Sequence, residues 1–345
     1  MRGLAFALTL PLGATAQREK AIFDAVRRRN IAPISWSEII TTDKQGNSAT
    51  FKVSDDAVRI GDAKDSFRAT VSHRTAQLIA DELGAVLPTA KLSDEIWAAA
   101  RVRLSPRPQK KWVDDDTMSH TRRMLEASEM VDSAIAGRHG LTADVGKDWV
   151  NTNRLTTRPP ATAGQSANYG WHGLGLPLEA ATFAGTQLYQ TVGLRHPIDY
   201  VDYSQVVRLV QRKVRLCDAP GGPVCRDIDI QKIASDPQLS GLLSHEGPVL
   251  MRHPGVVANC PVVGACPGLG TRIRNPRLLN SEAASPPELI PCPDIDCDIL
   301  PPPQPAPSLL PSELEIARAV VPAVFSFLAG AAVGYLAVRT FLPRP

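Results

Sequence analysis

The chain has few aromatic residues and almost no net charge. Only 5% of its 345 residues are Phe, Trp or Tyr, and 38 Lys and Arg nearly cancel 35 Asp and Glu to leave +3. Recognition of nucleic acid needs a basic patch or stripe, and this balance supplies none. Internal repeats are also missing, apart from short Cys-Pro dipeptides at Cys260, Cys266 and Cys292. No CxxC spacing and no companion histidine pair accompanies the cysteines, so the common zinc-binding patterns do not apply to them.

Both ends of the chain read as membrane or export signals. Residues 1–16 place Arg2 ahead of an apolar run from Leu4 to Leu12 and then Ala14-Thr15-Ala16, the order of a secretory signal peptide. The alternative is a buried strand or helix, favoured by Pro11 and by the shortness of the run. Residues 319–338, AVVPAVFSFLAGAAVGYLAV, carry no charge. About 20 apolar residues rising ~1.5 Å each span the ~30 Å of a bilayer's hydrocarbon, so this segment predicts a transmembrane helix. Gly330 and Gly334 form a GxxxG pattern through which two such helices could approach as a homodimer. Arg339 and Arg344 beyond it favour a short cytoplasmic tail at 339–345. The long middle of the chain is then exported.

Cysteine usage agrees with an oxidising compartment. The six cysteines fall as near neighbours, Cys217 with Cys225, Cys260 with Cys266 and Cys292 with Cys297, which suits disulfides. Free buried thiols and a metal site are the alternatives. The first pair is the most readable. QVVRLVQRKVRL (205–216) and RDIDI (226–230) read as strands joined by a Pro-Gly-Gly turn, so that a Cys217–Cys225 bond ties the ends of a hairpin loop.

Residues 17–255 have globular composition and predict one α+β ectodomain with mixed helices and a hairpin-containing sheet. Gln17 to Asn30, with Ile22, Phe23 and Val26 at helical spacing, is its first helix. His73 to Leu83, capped by Ser72, and Thr89 to Leu104 carry apolar residues on one helical face. The run Asp114 to Asp116 suits the start of another helix. Beyond Gly255 the character changes: half of the 30 prolines lie between Pro248 and Pro311. Residues 256–318 read as an extended Pro-rich stalk stapled by the two later cysteine pairs. Asp294, Asp296 and Asp298 alternate there but lack the glycine and distal glutamate of a calcium loop.

Such aromatics as the chain has gather in the middle: Trp149, Tyr169, Trp171, Tyr189, Tyr200 and Tyr203 accompany His172 and His196. Aromatics with convergent polar groups line ligand pockets, and they also fill cores. Four strings carry a resemblance: YGWH (169–172), H-x5-D-Y-S (196–204), VRLV (207–210) and DPQLSGLLSHEGP (236–248). They resemble a family of exported, functionally uncharacterised bacterial proteins, and with the upstream stretches REKAIFDAVRRRNIAP (18–33) and LIADELGAVLPTAKLSDEIW (78–97), which resemble it too, the likeness runs over roughly residues 15–252. Where that family carries Gly-His-Lys-Lys-Asp this chain has Val145-Gly146-Lys147-Asp148, and where it has a second histidine after DYS this chain has Gln205. The resemblance implies that His172, His196, Asp202 and Ser204 belong to one unit.

Three readings of that unit stay open. His172, His196 and Asp202 offer two imidazoles and a carboxylate to zinc, leaving a place for an activated water. Ser204 with a histidine and an aspartate suits acid-base or nucleophilic hydrolysis. A turn leading into a strand, with Asp202 and Ser204 bonding backbone groups, is the structural alternative. The expectation is a membrane-anchored cell-envelope protein whose exported domain binds, or hydrolyses, a wall-related ligand, with a non-catalytic binding or structural module as the other class.

Overall fold

Capping residues fix the helices. The computed structural model describes residues 3–110, 118–157, 164–173, 180–181, 187–218 and 224–256. Helix α1 covers Gly3–Ala7. Helix α2 (Ala16–Arg27) starts where the Thr15 side chain accepts from the Arg18 N–H. Ser72 does the same for α3 (His73–Glu82) through Thr75, and Thr89 for α4 (Ala90–Ala99) through Leu92. Each cap satisfies a backbone donor that the first helical turn leaves open. His120 caps α5 (Thr121–Ile135), and two short helices follow, α6 (Arg154–Thr157) and α7 (Ile230–Ser235). Asp114 to Asp116 lie outside the described residues.

The fold is mixed α+β, with hairpins in its sheets. The first sheet contains β1 (Trp36–Thr42), β2 (Ser48–Ser54), β5 (Ala85–Val86), β13 (Val210–Gln211), β14 (Lys213–Cys217) and β15 (Cys225–Asp229). Strand β2 pairs β1 along one edge, while β14 and β13 share the other. Along β2, Ala49, Phe51 and Val53 are buried and Lys52 is exposed, the period of two that turns one face to a core. Strands β14 and β15 form the predicted hairpin, with Cys217 opposite Cys225 and a disulfide between them.

The second sheet carries the chemistry. It orders β10 (Ala180–Ala181), β11 (Gln187–Gly193), β9 (Asn168–His172), β8 (Lys147–Trp149) and β12 (Gln205–Val206). Two ribbons complete the list, β3 (Arg59–Gly61) with β4 (Ser66–Arg68), and β6 (Val102–Arg103) with β7 (Thr142–Ala143). The run from Gln205 to Leu216, expected as one strand, is split between both sheets. Buried Arg208 is the reason: its guanidinium donates to the carbonyls of Ser54 and Thr142, pinning the chain between β12 and β13.

Two large apolar clusters form the core. One joins α2, α3 and the start of the chain through Ile22, Val26, Ile79, Leu87 and Trp149. The other packs α4 and α7 against the first sheet through Phe51, Val53, Ile96, Val214 and Ile233. The amino-terminal segment expected to be an export signal is packed into the first cluster, with Phe6, Ala7 and Leu10 buried. The backbone N–H of Thr121 donates to the Leu12 carbonyl. Leu4, Leu8 and Leu12 face outward.

The first cluster also encloses two histidines. His73 stacks on Trp149 at 5.0 Å, and His253 meets it edge-on at 4.5 Å. The Nδ1 of His73 accepts from the Ala167 N–H, and the Nδ1 of His253 accepts from Gly255, so both rings bond as neutral imidazoles. Among the described residues no helix is long and apolar enough to cross a membrane. Residues 319–338, Gly330 and Gly334 among them, lie outside the described residues, as do Cys260, Cys266, Cys292 and Cys297.

Candidate functional site

The strand that ends in His172 is bent out of ordinary β geometry. Gly170 has φ +125° and Trp171 has φ +59°, a conformation that costs a bulky residue on the order of 1–3 kcal/mol unless its surroundings hold it. Asp144 holds it. Its carboxylate accepts the backbone N–H of Trp171 at 3.1 Å and that of His172 at 2.8 Å. Asp144 itself sits at φ +59°, which aspartate tolerates better than most side chains. A Cβ on Gly170 would meet its nearest neighbour, the Cα of Lys147, at an ordinary 3.7 Å. Backbone freedom, rather than space, therefore accounts for the glycine.

This bend sets the His172 ring between two carboxylates. Nδ1 lies 3.0 Å from Asp144 Oδ1, and Nε2 lies 2.9 Å from Asp94 Oδ1. Trp97 of α4 stacks on the ring at 5.4 Å. The Tyr169 hydroxyl donates to the same Asp94 oxygen at 2.7 Å. Ser93, the neighbour of Asp94 on α4, donates to Asp148 on β8 at 2.8 Å. One helix and two strands thus meet through buried side chains, with Trp97 half-buried over the ring.

Both ring nitrogens face acceptors, which makes His172 an imidazolium. Burial pulls its pKa down, but Asp144 and Asp94 outweigh burial and raise it to about 9. Burial pushes the Asp144 carboxyl up, opposed by His172 and the two backbone N–H groups. Burial also pushes Asp148 up, opposed first by Arg208 and then by Ser93. The Tyr169 phenol is raised by burial and by Asp94, so it stays protonated and donates.

Asp94 and Tyr169 open onto a cleft of about 220 Å³, lined also by Lys91, Asn151, Arg154 and Glu246. Asp94 Oδ1 carries both of its bonds, and Oδ2 takes none among the described residues. Asn151 is 2% exposed; its Nδ2 donates to the Leu87 carbonyl, while Oδ1 receives no hydrogen bond among the described residues. Several donors of the cleft are already engaged. Lys91 Nζ bonds the carbonyls of Thr42 and Gly241, and Arg154 Nε holds Glu246 at 2.9 Å. Thr152 donates its hydroxyl to the same glutamate.

Of the residues expected to form one unit, Asp202 and Ser204 are bonded to each other, and His172 is held apart by its own two carboxylates. Asp202 Oδ1 accepts the Ser204 N–H at 2.8 Å and the Ser204 hydroxyl at 2.7 Å, a local turn of the kind foreseen as the structural alternative. Its other oxygen lies 3.6 Å from Lys147 Nζ, whose ammonium sits 5.2 Å from the Trp171 ring. His196 stacks on Tyr200 at 3.8 Å, and neither nitrogen of His172 faces it. Among the described residues no group of three His, Cys, Asp or Glu side chains could hold a metal ion. With both nitrogens of His172 directed at carboxylates, the expected zinc ligands His172, His196 and Asp202 do not fit one ion. Of the expected aromatics, Trp149 is core and donates to the Val71 carbonyl, whereas Tyr169 lines the cleft.

Asp94, Asp144 and Asn151 were not foreseen. Asp94 lies between Leu92 and Ile96, all three buried on α4, so a carboxylate within a buried helical segment was its available signal. Comparison with protein-family models, with curated proteins and with solved structures finds no match to this chain.

Proposed function

We propose that the chain is a membrane-anchored cell-envelope protein whose exported domain binds a wall-related ligand in the Asp94 cleft. One observation carries this reading: Asp94 is fixed through Oδ1 by Tyr169 and by the His172 imidazolium, while Oδ2 is unengaged among the described residues and Asp94 lines the cleft. Burying a carboxylate is costly unless it is paired, and here the pairing leaves one oxygen for a ligand. The uncharged segment 319–338 and the Cys217–Cys225 disulfide support the envelope location. Kinship with the exported bacterial family belongs to the same proposal and rests on the four strings given above.

Hydrolysis is the second reading, favoured by the same Asp94–His172–Asp144 chain. An ionised carboxylate beside a cleft can take a proton from an attacking water. Calorimetric titration of the full-length protein with soluble muropeptides tests both. Binding that Asp94→Asn weakens about tenfold or more supports the cleft, and release of a smaller fragment during the titration selects hydrolysis. Unchanged binding by that variant, with its fold intact, overturns the assignment.

A further inference from the structure

The polar groups of the Asp94 cleft are unequally provided for. Its groups without a hydrogen bond among the described residues include two acceptors, Asp94 Oδ2 and the buried Oδ1 of Asn151. Several of its side-chain donors are drawn elsewhere, Tyr169 to Asp94, Lys91 to two carbonyls, Thr152 and Arg154 Nε to Glu246, while Thr191, Ser244 and His245 also line it. A hydroxyl ligand brings a donor but also lone pairs that need a donor in return. An ammonium brings three donors and no acceptor. It also forms charge-assisted bonds to a carboxylate, about twice as strong as neutral ones. Leu188 and Val192 line the same cleft and offer apolar surface to methylene groups.

We infer that the cleft seats a primary ammonium on an alkyl chain, of the kind a diamino-acid side chain presents, with its nitrogen at Asp94 and Asn151. The inference rests on the reading of this cleft as the binding site and names the chemistry that it recognises. An anionic group would meet the carboxylates of Asp94 and Glu246, while Lys91 is held by two carbonyls and Arg154 by Glu246.

Three isosteric probes test it on the full-length protein by NMR or calorimetric titration: pentylammonium, pentanol and pentanoate. Pentylammonium is expected to bind about tenfold or more tighter than pentanol, and pentanoate to bind weakest. Asp94→Asn should remove the preference for the cation. Arg154 is half-exposed, so Arg154→Ala leaves the core untouched; it frees a Glu246 oxygen and should tighten pentylammonium several-fold. Equal binding of pentanol, stronger binding of pentanoate, or weaker pentylammonium binding by Arg154→Ala overturns the inference. If muropeptides bind through Asp94 while acetylation of their amines changes nothing, the ammonium assignment fails and the cleft stands. If neither muropeptides nor amines bind, both fail.

Discussion

Asp144 holds His172 twice, accepting its backbone N–H at 2.8 Å and its ring Nδ1–H at 3.0 Å. One carboxylate therefore fixes the bent end of β9 and supplies half of the charge that keeps the imidazole protonated. Position and protonation state of the ring are coupled through a single side chain.

Asp144→Asn keeps a residue that tolerates positive φ but removes the charge, leaving His172 with one carboxylate. Removing one partner of a buried ion pair costs roughly 3–5 kcal/mol. Urea unfolding should show a loss near that size. A change below about 1 kcal/mol would mean that the ring is neutral in the native protein.

Stability should fall on both sides of mild acidity, because the histidines shift in opposite directions. Burial lowers His253 to about 4, and burial together with His253 holds His73 well below its usual value. The unfolded chain protonates both near pH 6.5, so stability is lost as pH drops from about 6.5 towards 4. His172 has the reverse sign. Its contribution is present below about 6.5 and is lost as pH rises through about 9. In melting curves across pH, His253→Gln should flatten the acid limb and His172→Gln the alkaline limb. Limbs of the same slope as the parent's would contradict the assignment.

Reducing the Cys217–Cys225 bond, which closes a separation of eight residues, should cost about 2–3 kcal/mol in the chain-entropy model. Non-reducing mass spectrometry of the folded protein should find the two peptides linked. Free alkylation of both cysteines without reductant would show that the bond does not form.

Asp202→Ala should lower stability by about 1–3 kcal/mol, because the Ser204 N–H and hydroxyl both lose their acceptor. His196→Ala removes only a partly exposed stacking partner of Tyr200 and should change stability by less than about 1 kcal/mol. Neither should alter binding in the Asp94 cleft. A loss of binding in both variants, with melting unchanged, would restore the unit read from the sequence.

Elements with local determinants were legible. Ser72 announces its helix as a cap, the apolar spacing of 89–104 announces a helix that ends earlier, at Ala99, and the Pro-Gly-Gly turn between Cys217 and Cys225 announces the hairpin. Long-range partners were not. Asp94 and Asp144 are 50 residues apart and meet only because His172 is turned between them, a bend that depends on the left-handed conformation of Trp171. No side-chain pattern marks a tryptophan for positive φ. The strand predicted over 205–216 failed for a similar reason, since Arg208 breaks it by bonding carbonyls far away in the chain. His172 is read from the sequence with His196 and Asp202 as companions, whereas its ring faces Asp144 and Asp94.

The most direct measurement is the protonation state of the His172 ring by nitrogen-15 NMR across pH 6 to 10. The account predicts protons on both ring nitrogens at neutral pH and loss of one near pH 9. A ring that carries a single proton at pH 7, and titrates below it, would contradict the paired carboxylates as the basis of the site.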